Sequence, residues 1–224
     1  GWSIDAGQGS TSITVTSGTA GGIITVSAGN SCGNSPLKQL TVSVIATGTW
    51  TGAQDFEWHH ANNWCGGVPT GATNVVIPAS APRQPKIHVP AFANNLDVNT
   101  GASLDVDDNL SLYGSLTADN NIDAAGGSVE LTGSSPQNLG ANLFINNALR
   151  DLVINNANTV NLNGKLDIFG SLSFGSSGLV LETNDNLTLK STNSRTARVG
   201  DLTGKEVNGN VTVERYIPNH SKAW

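Results

Sequence analysis

Between Leu96 and Leu189 the chain sets apolar residues in pairs at i and i+2, and parts each pair from the next with Asn, Gly, Ser and Asp. Leu96/Val98, Leu104/Val106, Leu110/Leu112, Val160/Leu162, Leu166/Ile168 and Leu187/Leu189 are examples. A period of two is the mark of a strand, because alternate side chains leave the backbone on opposite faces. Runs this short do not build a long-stranded sandwich, but they suit coils that stack on one another. From Leu96 the pairs restart at Leu104, Leu110 and Leu116, in steps of 8, 6 and 6. From Leu152 they restart at Val160, Leu166 and Leu172 in the same steps, at an offset of 56, and Gly114-Ser115-Leu116 falls on Gly170-Ser171-Leu172. An internal repeat of this kind predicts a solenoid. Three short strands in about twenty residues would make one triangular coil, with successive coils about 4.8 Å apart. The expectation is an all-β chain whose main part, residues 79–217, is a right-handed parallel β-helix. Asn163-Gly164 is also a good two-residue hairpin turn, so an antiparallel β-sandwich is the alternative.

Three more pieces frame that ladder. In residues 1–47 the stretches 12–16, 23–27 and 40–44 alternate Ile, Val and Leu with Thr and Ser, and Gly18, Gly21-Gly22 and Gly33-Asn34-Ser35-Pro36 punctuate them. These read as three strands of a small module with exposed edges. Residues 48–78 hold three of the chain's five Trp, in Trp50-Thr51-Gly52, Trp58 and Asn62-Asn63-Trp64, and then Gly67-Val68-Pro69 and Val75-Val76-Ile77-Pro78. Trp50, Trp58 and Trp64 could form a carbohydrate-stacking platform. They could equally plug the open end of a solenoid, whose terminal coil exposes apolar side chains and unpaired backbone; their place just ahead of the ladder favours the plug. Residues 218–224, after Val213-Glu214-Arg215-Tyr216-Ile217, read as the start of a linker to a further domain. Gly1-Trp2-Ser3 does not look like a natural start, and both ends are expected to have been cut from something longer.

Charge and cysteine content narrow the class. A net charge of −6 and an isoelectric point near 5.0, with 11 scattered basic residues, argue against nucleic acid, which needs clustered Lys and Arg. No apolar run approaches the ~20 residues of a membrane-spanning helix. Cys32 and Cys65 are too few for a disulfide scaffold or a structural zinc site. They could pair with each other or stand as two thiols, and the sequence does not choose.

Little in the chain resembles a catalytic or metal centre. Asp55, Glu57, His59 and His60 are the right residue types for a metal, but adjacent His on a strand point to opposite faces, so a surface loop is the simpler reading. Asp105, Asp107 and Asp108 resemble the oxygen clustering of a calcium loop; no glycine marks the turn and no Glu follows at the required distance. Calcium is thus the one cofactor considered, and no other is expected. A β-helical polysaccharide lyase or hydrolase would need convergent carboxylates with a basic residue, whereas Arg150, Lys165 and Lys190 occur singly, with no evident acidic group one coil away. Asn95, Asn109, Asn155, Asn163 and Asn186 recur at strand boundaries, where stacked amides can bond along the axis.

Two resemblances add to this. The pattern Gly1-Trp2, Ser12-Ile13-Thr14-Val15, Ile24-Thr25-Val26, Asn30-Ser31-Cys32-Gly33 and Leu40-Thr41-Val42 resembles the C-terminal half of PKD-related, immunoglobulin-like β-sandwich modules in large secreted proteins of Bacteroidota. The Trp-Thr-Gly, Asn-Trp, Gly-Val-Pro and Val-x-Ile-Pro series from Trp50 to Pro78, and Val213-Glu214-Arg215-Tyr216-Ile217-Pro218, resemble segments that open and close β-helical parts of such proteins. That resemblance implies an extracellular, adhesin-like surface protein exported by the type IX system. This chain would be a non-catalytic stalk whose partners are other modules of the same polypeptide, surface glycans or further copies. The alternative is a carbohydrate-binding module of a secreted glycan-degrading enzyme.

Overall fold

The computed structural model describes residues 2–16, 18–176 and 178–218 of the 224. The chain divides into two units, Gly1–Ala46 and Thr47–Trp224.

In the first unit Ser3–Ala6 pairs antiparallel with Thr14–Thr16, and Gly22–Val26 pairs antiparallel with Lys38–Val42. Gly29–Asn30 and Gly33–Asn34 close a small hairpin. The three expected strands are present within two residues of their sequence positions, and Ser3–Ala6 is added to them. Ile and Val alternate with Thr here because β-branched side chains pack well on a pleated surface. The two ribbons leave much of that surface open: Ile23 and Leu40 are 60% and 63% exposed. Trp2, Ile4, Ile13, Val15, Ile24 and Val26 line a groove of about 750 Å³ within this unit.

The second unit is a parallel β-solenoid, and seven turns can be followed through its described residues. The first face carries Val75–Ile77, Leu96–Val98, Leu116–Thr117, Gln137–Leu139, Val160–Leu162, Val180–Glu182 and Glu206–Asn208. The second carries Lys86–Ile87, Leu104–Val106, the starts of Ile122–Leu131, Phe144–Ile154 and Leu166–Phe174, then Leu187–Leu189 and Val211–Val213. The third carries Ala91–Ala93, Asn109–Leu112, the ends of those three long strands, and Arg198–Val199. Inward residues stack along the axis. Leu96 lies between Val75 of the coil before it and Leu116 of the coil after it. Leu110, Val129, Leu152 and Leu172 follow one another, one to a coil. All are buried, so each coil covers the apolar side of the next. The one helical segment among the described residues is a single 3-10 turn, Ala61–Asn63, and no described helix is long and apolar enough to cross a membrane.

Three details depart from the sequence reading. The sequence assigns Val75–Ile77 to the cap, yet this strand pairs in parallel with Leu96–Val98, because Val75 and Ile77 both point inward; the coils therefore start before residue 79. The antiparallel alternative at Asn163-Gly164 fails, since Val160–Leu162 and Leu166–Phe174 pair with the coils above and below and not with each other. Gly164 is needed for close stacking: a Cβ there would lie 2.2 Å from the Ala141 Cα. Finally, the offset of 56 is not a whole number of coils. It carries Leu96 on the first face to Leu152 on the third, eight faces further along. Of the expected linker at 218–224 only Pro218 lies within the described residues.

Candidate functional site

The segment from Thr49 to Trp64 covers the edge of the first coil on its first and second faces by pairing with them. Thr49 bridges to Val76 and Glu57 to Lys86 in parallel, and Trp50 bridges to Trp64 antiparallel. Trp50 N donates to Val76 O at 2.9 Å, and Trp58 N to Lys86 O at 3.1 Å. An unpaired parallel edge invites association with other chains, and this segment removes it on those two faces.

The same segment delivers three indoles into the open end of the apolar stack. Trp50 and Trp58 are 0% exposed and Trp64 is 5% exposed. Trp64 sits edge-on to both others, with ring centroids 4.9 Å from Trp50 and 4.7 Å from Trp58. Edge-to-face contacts of this kind add about 0.5–1.5 kcal/mol each beyond area burial. Trp50 Nε1 donates to Arg83 O and Trp64 Nε1 to Trp58 O, both at 2.6 Å. Trp58 Nε1 is buried with no partner. Sugar stacking needs an exposed aromatic face, and none of the three presents one; that expectation for Trp50, Trp58 and Trp64 does not fit the structure.

The small residues of the motif have matching tasks. Gly52 takes φ +57, and a Cβ there would lie 2.5 Å from Arg83 O. Arg83 reaches back to Gly52 O and Ala53 O at 3.0 and 3.2 Å. Asn63, wholly buried, holds the loop ahead of it. Its Oδ1 accepts from Gln54 N and Asp55 N, and its Nδ2 donates to Asp55 Oδ1 and Glu57 O. Sequence reading misses this role, because an Asn beside a Trp carries no signal for four simultaneous bonds.

The residues considered for metals are dispersed onto separate partners. His60 Nδ1 meets Asp55 Oδ2, while His59 Nε2 lies 2.9 Å from Pro90 O. Partial desolvation pulls the Asp55 carboxyl upward, but hydrogen bonds from Glu57 N, Asn63 and His60 outweigh it and hold the group below its ordinary value. Asp105 takes Lys86 Nζ at 2.8 Å, Asp107 faces His88 Nε2 at 3.4 Å, and Asp108 accepts from Asn109 N at 2.7 Å. So the three carboxylates do not converge. Among the described residues, no group of three or more His, Cys, Asp and Glu is placed to hold a metal ion. His88, which sequence reading passes over, stands between Glu57 and Asp107, 3.2 Å and 3.4 Å from them, with Phe56 edge-on to its ring. Cys32 is exposed in the first unit and Cys65 half-buried in the second.

Charges are instead matched across coils, which corrects the view of Lys190 as solitary. Asp167 lies 3.8 Å from it one coil below, and Glu214 meets it from one coil above. The hydrogen bond that Lys190 Nζ donates to Glu214 is the main cause that raises the Lys190 ammonium above its ordinary value, and the same bond lowers Glu214. Lys86 is raised in the same way by Asp105, one coil on. Arg150 is held by its own neighbour Asp151, at 2.7 Å.

Amides also bond along the axis. Asn163 Nδ2 donates to Asn138 Oδ1 at 3.3 Å, and Asn184 Nδ2 to Asn163 Oδ1 at 3.4 Å, a ladder over three coils. Asn109 and Asn155 converge on Glu130 at 3.4 and 2.9 Å. Asn95 accepts from Ser115 N, and Asn186 donates to Leu162 O. Most of these bonds run to backbone, Ser or Glu, because the coil length changes from turn to turn and like residues seldom fall in register.

Fold and site together define a class: a small antiparallel β module followed by an aromatic-capped parallel β-solenoid. Comparison with known families touches both parts. A PKD-like domain matches residues 1–42, and a domain of unknown function, DUF8693, matches residues 49–135, the cap and the first three turns. No curated protein and no solved structure matches the chain.

Proposed function

We propose that the chain is a non-catalytic spacing segment of a large, exported, adhesin-like cell-surface protein. The observation that carries this reading is the continuous apolar stack, plugged by Trp50, Trp58 and Trp64 and running through to Leu189. The strands of each coil pair with those of its neighbours, so length is set by the number of turns and not by a globular core. Seven turns at about 4.8 Å each give a rod roughly 30 Å long. Cross-coil pairs such as Lys86–Asp105 and Lys190–Glu214 tie adjacent turns from outside. That matching of charges between turns supports a mechanical role, since hydrolysis or elimination needs uncommitted carboxylates facing one substrate. The PKD-like module supports an extracellular setting. Export by the type IX system of Bacteroidota, a catalytically inert chain without cofactor, and other modules of the same polypeptide as partners complete the proposal.

The test is a broad glycan array probed with the chain, beside surface labelling of cells carrying the parent protein. The expected result is no selective glycan binding and an epitope accessible on intact cells. Selective binding to one glycan class would replace spacing with recognition. An epitope reached only after lysis would remove the surface assignment.

A further inference from the structure

The first face of the solenoid is two sheets. Val75–Ile77, Leu96–Val98 and Leu116–Thr117 form one, and the four strands from Gln137–Leu139 onward form the other, whereas the second and third faces run through as one sheet. The gap falls between turns 3 and 4. Just beyond it, the inward position held by Val160, Leu181 and Val207 in later turns carries Gln137, 5% exposed. A buried amide is costly unless it is bonded, and this one is saturated. Its Nε2 donates to Leu112 O and Gly114 O at 2.9 and 2.8 Å, and its Oε1 accepts from Gly133 N and Asn156 Nδ2 at 3.0 and 2.7 Å. Asn156 is also fully buried and donates to Ser135 O at 2.8 Å.

The row of carbonyls at this corner shows what Gln137 replaces. Thr73 O accepts from Asn94 N, and Asn94 O accepts from Gly114 N, each from the turn above. Gly114 O, next in the row, receives the Gln137 side chain. The second face marks the same junction. Ile122–Leu131 and Phe144–Ile154 slip register twice there, with Asn146 and Asn147 both left-handed at φ 57 and 55. The likeness to the domain of unknown function also stops two residues before Gln137.

We propose that this junction is a joint between two solenoid modules, the cap with turns 1–3 and turns 4–7, closed on one side by the Gln137 amide, which Asn156 holds in place. A backbone ladder parts only together with its apolar stack. Side-chain amides can exchange their partners for water once the seam widens, so the rod opens here first.

Native-state hydrogen exchange with mass spectrometry on the whole chain tests this, independently of any mechanical role. The expected result is two blocks with distinct opening, residues 47–132 and 137–213. Gln137→Leu keeps an apolar filling but strands Gly114 O and Gly133 N, while Leu112 O keeps its bond from Thr132 N. It should speed exchange in peptides spanning 112–116 and 133–139 at least about ten-fold, the scale of one lost buried hydrogen bond, and leave 180–190 unchanged. Leu139→Ala, two residues along the same strand, should loosen its own coils without separating the blocks. A single block across 47–213 in the unaltered chain, or an unchanged seam in Gln137→Leu, would overturn the joint.

Discussion

The three cap indoles differ in one respect, and that difference can be measured. Trp50 and Trp64 each spend their N–H on a backbone carbonyl, while Trp58 does not. Replacing any of them with Phe removes three ring atoms and opens on the order of 40 Å³, which costs ~1 kcal/mol at about 24 cal/mol per Å³. This contribution is common to all three variants. At Trp50 and Trp64 the change also strands Arg83 O or Trp58 O, adding about 1–3 kcal/mol. At Trp58 it removes a buried donor that has no partner, and returns a desolvation cost of about the same size. The expectation for Trp58→Phe is therefore near-neutral to slightly stabilising, and for Trp50→Phe and Trp64→Phe a loss of roughly 2–4 kcal/mol. Urea unfolding followed by the fluorescence of the remaining cap indoles gives the ranking, because each variant keeps two reporters at the same site. A loss in Trp58→Phe as large as in Trp64→Phe would refute the reasoning, since it would mean that the Trp58 N–H is bonded in solution.

Asp151 accepts Ser171 N and Oγ and Arg150 Nε. Burial pushes its carboxyl up, but those bonds hold it below the ordinary value of 3.8. A folded-state value below the unfolded one gives stability that is present above about pH 4 and lost as pH falls through the lowered value. Thermal melts between pH 5 and 2.5 should show that loss, and Asp151→Asn should flatten it; an unchanged acid slope in the variant would exclude this carboxylate as its source. Asn63→Ala strands Gln54 N and Asp55 N and should cost about 2–4 kcal/mol, read as a lower urea midpoint and faster proteolysis of that loop. Millimolar calcium should leave the melting temperature within about 1 °C, because Asp105, Asp107 and Asp108 each have a partner already; a rise of several degrees would show a bound ion.

The repeating faces were legible because a strand of three residues needs only one i, i+2 pair to declare itself. Inward and outward followed at once: Leu152, Leu166 and Leu187 are buried as their alternation requires. The plug reading of the Trp cluster came from position alone, and the edge pairing of Thr49 and Glu57 supplies its physical content. Illegible were the contacts that depend on coil length. Whether Lys190 meets an acid one turn away is decided by register, and register is set by corners whose length varies. Leu187 stacks on Leu166 below and on Val211 above, and the first of these steps along the chain is shorter than the second. No single spacing in the sequence states both.

That variation also explains why the offset of 56 misleads. A strand plus its corner is the unit that recurs in the sequence, because each needs one apolar pair and one polar turn regardless of the face it lies on. A coil is three such units, and selection for stacking acts only on whether inward positions are apolar. Eight units therefore align as well as nine would, although they superpose the first face on the third. The position that breaks the rule is more informative than those that keep it. Among the inward residues of the first face, Gln137 alone carries an amide where Val or Leu stacks in later turns. It does so where the backbone ladder stops, so the apolar pattern identifies the solenoid and its exception locates the joint.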